Sequence, residues 1–142
     1  MIIYESMDAC IIYIESKNYA YLAIEGFIDS SKIKEFASKF TSLCLNKKGL
    51  KVIFDSSKIT TVKNSDLQWI AENILPLLQN NDIQKIAFLS PESPFGQMAV
   101  QKFSKNITPG KAEVFHSMEQ AENWIFQADS SKGTLLTTIC KN

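Results

Sequence analysis

Two short runs, Leu50-Lys51-Val52-Ile53-Phe54 and Ile86-Ala87-Phe88-Leu89, place apolar side chains at successive positions rather than alternate ones. A β-strand sends neighbouring side chains to opposite faces, so such runs need cover on both sides. Each is followed or preceded by segments whose apolar residues recur at helical spacing. Strands of this kind alternating with helices predict an α/β fold whose sheet is largely parallel.

The rest of the chain fits around these strands. Ala9 to Ile14 and Ala20 to Ile24 are β-rich runs about a Ser16-Lys17-Asn18 turn and read as an antiparallel hairpin, which makes the sheet mixed. Asp29 or Ser30 then caps a helix whose apolar stripe is Ile33, Phe36, Ala37, Phe40, Leu43 and Cys44, ended by Asn46 to Gly49. The run at 50–54 is expected to stop at Asp55-Ser56-Ser57. A polar connection, Lys58 to Asn64, leads to a second helix opening at Ser65, with Leu67, Ile70, Ala71, Ile74 and Leu77 or Leu78 inward. Ser65 and Gln68 have the spacing of a capping box, and so do Ser117 and Gln120 before a last helix carrying Ala121, Trp124 and Ile125. Between them, Ser93-Pro94 opens a helix with Phe95, Met98, Ala99 and Phe103, and Lys111 to Phe115 is a strand. The expected organisation is one α/β domain over residues 1–128 and a C-terminal tail over 129–142, with Thr134 to Ile139 either a short edge strand or a tail. At 142 residues with 45% hydrophobic and 21% charged, the chain has enough apolar content for one core without metal or disulfides.

Charge removes several functions at once. Fifteen bases balance fifteen acids, and every base is lysine. Without arginine there is no guanidinium fork for bidentate grip on phosphate, carboxylate or guanine, so nucleic acid is not an expected partner. The three cysteines, Cys10, Cys44 and Cys140, are too far apart and too few for a zinc site or disulfide frame. Together with a start lacking a basic, apolar leader and the absence of any long apolar run, they predict a cytoplasmic protein with no membrane span. No metal or cofactor is expected: five glycines form no phosphate-cradling loop. A hydrolase would need the lone histidine, His116, against Ser56 or Ser57, yet no serine stands in a strained nucleophile turn. The residues thus support no enzymatic reaction, and the favoured reading is a binding module.

What stands out is the stretch from Asp55 to Trp69, where a strand delivers hydroxyls and carboxylates to a helix N-terminus. Orphan backbone N–H groups favour anions there. Trp69 lies beside the buried stripe, packed across the helix edge or presented as a partner anchor. Asp55, Ser56, Ser57, Asn64, Asp66 and Trp69 are the candidate recognition surface, and Ser65 is the candidate phosphorylation site.

The order of these motifs resembles the STAS fold of bacterial anti-sigma-factor antagonists and sulfate-transporter tails. The resemblance spans about residues 9–126. It is carried by Lys51-Val52-Ile53-Phe54-Asp55, the hydroxyl-bearing loop Ile59 to Ser65, Lys85-Ile86-Ala87-Phe88-Leu89, and Val114-Phe115-His116-Ser117 running on to Trp124-Ile125. It implies a regulatory module that works by protein association, with a kinase or an anti-sigma-like regulator as partner. In the antagonists, a serine at the start of the second helix, in an Asp-Ser-Ser-Gly type loop, is phosphorylated. Here the matching stretch is Val62-Lys63-Asn64-Ser65-Asp66-Leu67, where Ser65 occupies the serine position without the preceding aspartate or the following glycine. A homodimer through an open sheet edge or helix face is compatible with the pattern. A second resemblance, to lipid-transfer proteins of the CRAL-TRIO type, implies instead a carrier of a small apolar ligand lined by phenylalanines such as Phe27, Phe36, Phe40, Phe88, Phe95 and Phe103.

Overall fold

The computed structural model describes residues 1–27, 29–61, 63–73, 76, 83–90 and 111–127. The expected helix after Ser93-Pro94, the stripe positions Ile74, Leu77 and Leu78, and the tail 129–142 lie outside these residues. So do the side chains of Asn64, Leu67, Ile70 and Ala71.

Among the described residues, six strands form one mixed sheet, in the order in which they occur along the chain: β1 (Ile2–Glu5), β2 (Ala9–Ile14), β3 (Tyr19–Phe27), β4 (Leu50–Thr61), β5 (Ile83–Leu89) and β6 (Ala112–Phe115). β1, β2 and β3 pair antiparallel; β3 to β6 are parallel. Three helices are described: α1 (Ser30–Asn46), α2 (Asn64–Asn73) and α3 (Met118–Ile125). Successive right-handed crossovers that all step the same way along a sheet put their helices on one face. In agreement, α1 and Trp69 of α2 both join the larger core, while α3 closes the other face.

The strand periodicity sorts the core. Ala20, Leu22 and Ile24 of β3, Leu50 and Val52 of β4, and Ile86 and Phe88 of β5 face α1, whose whole expected stripe from Ile33 to Cys44 is buried. Tyr19, Ile53, Ala87 and Leu89 face the other way, against Ala121 and Ile125 of α3. The unbroken apolar runs of β4 and β5 thus have cover on both sides. Within the larger core, edge-to-face aromatic contacts link Tyr4 to Phe36 (6.1 Å) and Phe36 to Phe54 (6.3 Å), and Phe54 lies tilted beside Phe88 (6.2 Å).

Local chemistry fixes the ends. Asp29 caps α1, its carboxylate accepting from the Lys32 backbone N–H at 3.0 Å. Ser117 does the same for α3, accepting from the Gln120 N–H at 3.2 Å. Gly49, at φ 67°, supplies the left-handed residue that turns the chain from α1 into β4. Beside it, Asn18, itself left-handed at φ 49°, accepts from the Tyr13 hydroxyl and donates to the Lys48 carbonyl. One side chain therefore ties the β2–β3 turn to the start of β4.

The expected antiparallel hairpin is formed by β2 and β3, and Ile2–Glu5 adds a further strand to it that four residues with no turn signal did not announce. Two expectations need correction. β4 does not stop at Asp55; it runs on to Thr61. It does so through a bulge: between the pairs Ala23↔Asp55 and Glu25↔Lys58, β3 advances two residues and β4 three. The extra residue reverses the side-chain parity, so Ile59 returns to the larger core while Lys58 faces solvent. And α2 begins at Asn64, one residue before Ser65.

Candidate functional site

At the C-terminal edge of the parallel strands, the polar groups of β4 are held by neighbours. Asp55 is half-buried, and its carboxylate is fully engaged. One oxygen accepts from the Tyr21 hydroxyl at 2.6 Å; the other accepts from the Ser57 backbone N–H at 3.0 Å and from the Ser57 hydroxyl. Burial, and next the hydrogen bond to Asp55, push the Tyr21 phenol well above its ordinary pKa, so it stays a donor. Ser56 is 1% exposed and donates to the Leu89 carbonyl at 2.6 Å, tying the bulge of β4 to the end of β5. The hydroxyl protons of Ser56 and Ser57 thus have acceptors within the fold. His116 is exposed just beyond the end of β6, and neither serine uses it as an acceptor. Sequence reasoning missed Tyr21, since a partner 34 residues upstream becomes visible only through the β3–β4 register.

The second half of the site is the first turn of α2. Its opening bond runs from the Asp66 N–H to the Lys63 carbonyl at 3.0 Å, so Ser65 lies inside the turn, and its side chain is exposed. The expected capping box is not formed: Gln68 donates forward to Glu72 at 2.9 Å, four residues on along the helix surface. Ser65 is a surface hydroxyl in the first turn of a helix. Asp66, next to it, is 5% exposed, and its Oδ2 has no hydrogen-bond partner. A buried, unpartnered carboxylate oxygen is destabilising, offset in part by the positive end of the helix dipole. Trp69, one turn on, is half-buried against the larger core, with the Lys34 ammonium of α1 5.8 Å from its ring centroid.

The candidates fall into two groups. Asp55, Ser56 and Ser57 form one knot with Tyr21 and Leu89; Ser65, Asp66 and Trp69, with the backbone of Asn64, form the opening of α2. Of the phenylalanines expected to line an apolar pocket, Phe36, Phe40 and Phe88 are buried in the core. Among the described residues no three His, Cys, Asp or Glu side chains converge, and no helix is long and apolar enough to cross a membrane.

By sequence, neither a family model nor a curated protein matches the chain. Solved structures do. An uncharacterised protein of the DUF3478 family with a SpoIIAA-like fold, from Shewanella loihica PV-4, superposes with a TM-score of 0.59 at 10% identity, covering 86% of this chain and 98% of that one. The anti-sigma factor antagonist SpoIIAA, in its unphosphorylated form, superposes with a TM-score of 0.57 at 10% identity, covering 86% and 99%. Those likenesses agree with the element order, the mixed sheet and the helix cover derived above: the chain has the SpoIIAA-like, STAS-like fold.

Proposed function

We propose that this chain is a non-enzymatic regulatory module that works by binding another protein in the cytoplasm, with the opening of α2 as its recognition face and Ser65 as its switch. One observation carries the reading: an exposed hydroxyl in the first turn of α2 is next in the chain to a buried carboxylate whose Oδ2 has no hydrogen-bond partner. Phosphate on Ser65 would bring a charge of about −1.5 to −2 to that turn. The helix dipole and the orphan N–H groups attract it, while the neighbouring Asp66 carboxylate repels it. The two anions compete for one helix start, and a shift of that turn changes the face a partner meets. One of the structural relatives is an anti-sigma factor antagonist described in its unphosphorylated form, which is in keeping with such control.

The test is phosphosite mapping of the protein from its own cells, together with partner capture using Ser65→Asp and Ser65→Ala. Phosphate at Ser65 is expected, and Ser65→Asp should change affinity for at least one partner by tenfold or more while Ser65→Ala resembles wild type. Indistinguishable partner sets for all three proteins would end the proposal. Asp66→Asn, which removes the competing charge, should blunt the response to Ser65→Asp.

A further inference from the structure

One end of the sheet gathers exposed side chains of two kinds. β1 starts there, β2 ends and β4 starts: Ile2 pairs with Ile12, the Tyr13 N–H donates to the Met1 carbonyl, and Tyr19 of β3 pairs with Lys51. Among the described residues five large apolar side chains are exposed. Four of them, Met1 (77%), Ile2 (59%), Ile14 (38%) and Leu45 (68%), belong to strand or helix termini at this end, whereas Met7 lies in the β1–β2 turn at the other. Four lysines stand in the same turns: Lys17 between β2 and β3, Lys47 and Lys48 between α1 and β4, and Lys51 at the start of β4. Glu15 shares the turn of Lys17, and Glu122 of α3 lies near Tyr19, so lysine predominates.

The two turns are held as one piece. Asn18 accepts from the Tyr13 hydroxyl at 2.8 Å and donates to the Lys48 carbonyl at 2.6 Å, while its own carbonyl accepts from the Lys51 N–H at 3.0 Å. The Lys47 ammonium sits 5.1 Å from the Tyr13 ring centroid and the Lys17 ammonium 4.9 Å from that of Phe126. Lys47 and Lys48 also complement the C-terminus of α1, but that role accounts for neither Lys17 and Lys51 nor the exposed apolar residues. Apolar side chains among lysines match a surface that is negative outside and hydrocarbon within, where the two signals together anchor what neither holds alone. Lysine suffices for such a partner, because a bilayer presents a diffuse field and not a single carboxylate to be gripped by a guanidinium fork. We propose that this end of the sheet rests reversibly on an anionic lipid surface, with Ile2, Ile14 and Leu45 in the interface and the four lysines among the headgroups. α2 opens beyond the far end of β4, so a chain docked in this way holds Ser65 away from the lipid. The proposal depends neither on Ser65 nor on a protein partner.

Sedimentation of the full-length chain with lipid vesicles tests it. Binding is expected to phosphatidylcholine vesicles containing about one-third phosphatidylserine, and at least tenfold weaker binding to phosphatidylcholine alone. A lysine beside an anionic surface is worth roughly fivefold in affinity, so Lys17→Gln/Lys48→Gln should bind the mixed vesicles at least tenfold more weakly. Ile2→Thr/Leu45→Gln, at exposed positions, should weaken binding threefold or more at an unchanged urea midpoint. Lys39→Gln/Lys58→Gln removes the same charge from exposed positions elsewhere and should bind like wild type. No binding to the mixed vesicles at low salt, or equal losses in the two lysine pairs, would overturn the proposal. So would binding to poly-glutamate that matches the vesicle affinity and is untouched by Ile2→Thr/Leu45→Gln, since this end would then take an acidic protein segment.

Discussion

Ser56 shows how a residue type can mislead when its neighbours in space are unknown. In sequence, Asp55-Ser56-Ser57 reads as a loop offering hydroxyls. In the fold, each hydroxyl has an acceptor and the carboxylate has three donors. Nothing local distinguishes the two cases, because the deciding partners, Tyr21 and Leu89, lie over thirty residues away in either direction. Ser65 fared differently: its place near the start of a helix was legible, but the capping box expected of it is not formed, since α2 begins one residue earlier. Ser56→Ala would leave the buried Leu89 carbonyl without this donor, and a loss of about 1–2 kcal/mol in urea unfolding is expected. A double-mutant cycle on Tyr21→Phe and Asp55→Asn should show a coupling of about 1–2 kcal/mol. Additive losses would mean that the short Tyr21–Asp55 contact contributes little.

Elements were read best where periodicity was long. The stripe of α1 was legible to the last residue because 17 residues of amphipathic pattern leave one buried face. The two continuous apolar runs likewise specified parallel strands under double cover. β1 escaped because four residues carry too little pattern, and its existence is decided by the edge that β2 offers. The second half of β4 escaped because a bulge breaks the alternation on which strand recognition depends. At the start of α1, the cap makes a pH-dependent contribution. Hydrogen bonds from the Ser31 hydroxyl, then from the Lys32 N–H, hold the Asp29 carboxyl below its ordinary value of 3.8. Its folded pKa is the lower one, so the stabilisation is present above pH 3.8 and is lost as pH falls through the folded value. Asp29→Asn should keep the cap and flatten stability in that acid range, whereas Asp29→Ala should also lower stability at neutral pH. Parallel acid titrations of the three proteins, followed by circular dichroism, check this.

Across the whole molecule, the two faces of the sheet carry separate clusters that share β3, β4 and β5. Ile53 is fully buried on the α3 side of the central strand β4. Ile53→Ala should cost about 2–5 kcal/mol, read as a lower urea midpoint at unchanged slope. Leu45→Gln, at a position 68% exposed, should stay within about 0.5 kcal/mol. A loss below about 1 kcal/mol for Ile53→Ala would mean that α3 is only loosely seated. That the sheet would be mixed and covered was legible from the runs and the hairpin; the reversal of facing within β4 was not, because it follows from the bulge against β3.

The strands stand in the sheet in the order in which they leave the ribosome. None of the described strands has to be threaded between two that are already joined, so the sheet can grow at a single advancing edge during synthesis. Each newcomer finds its template already laid down, and chain closure never spans the whole length at once. Such a protein should begin folding before it is finished, with the β1–β3 meander as the seed and β4, β5 and β6 added to it in turn.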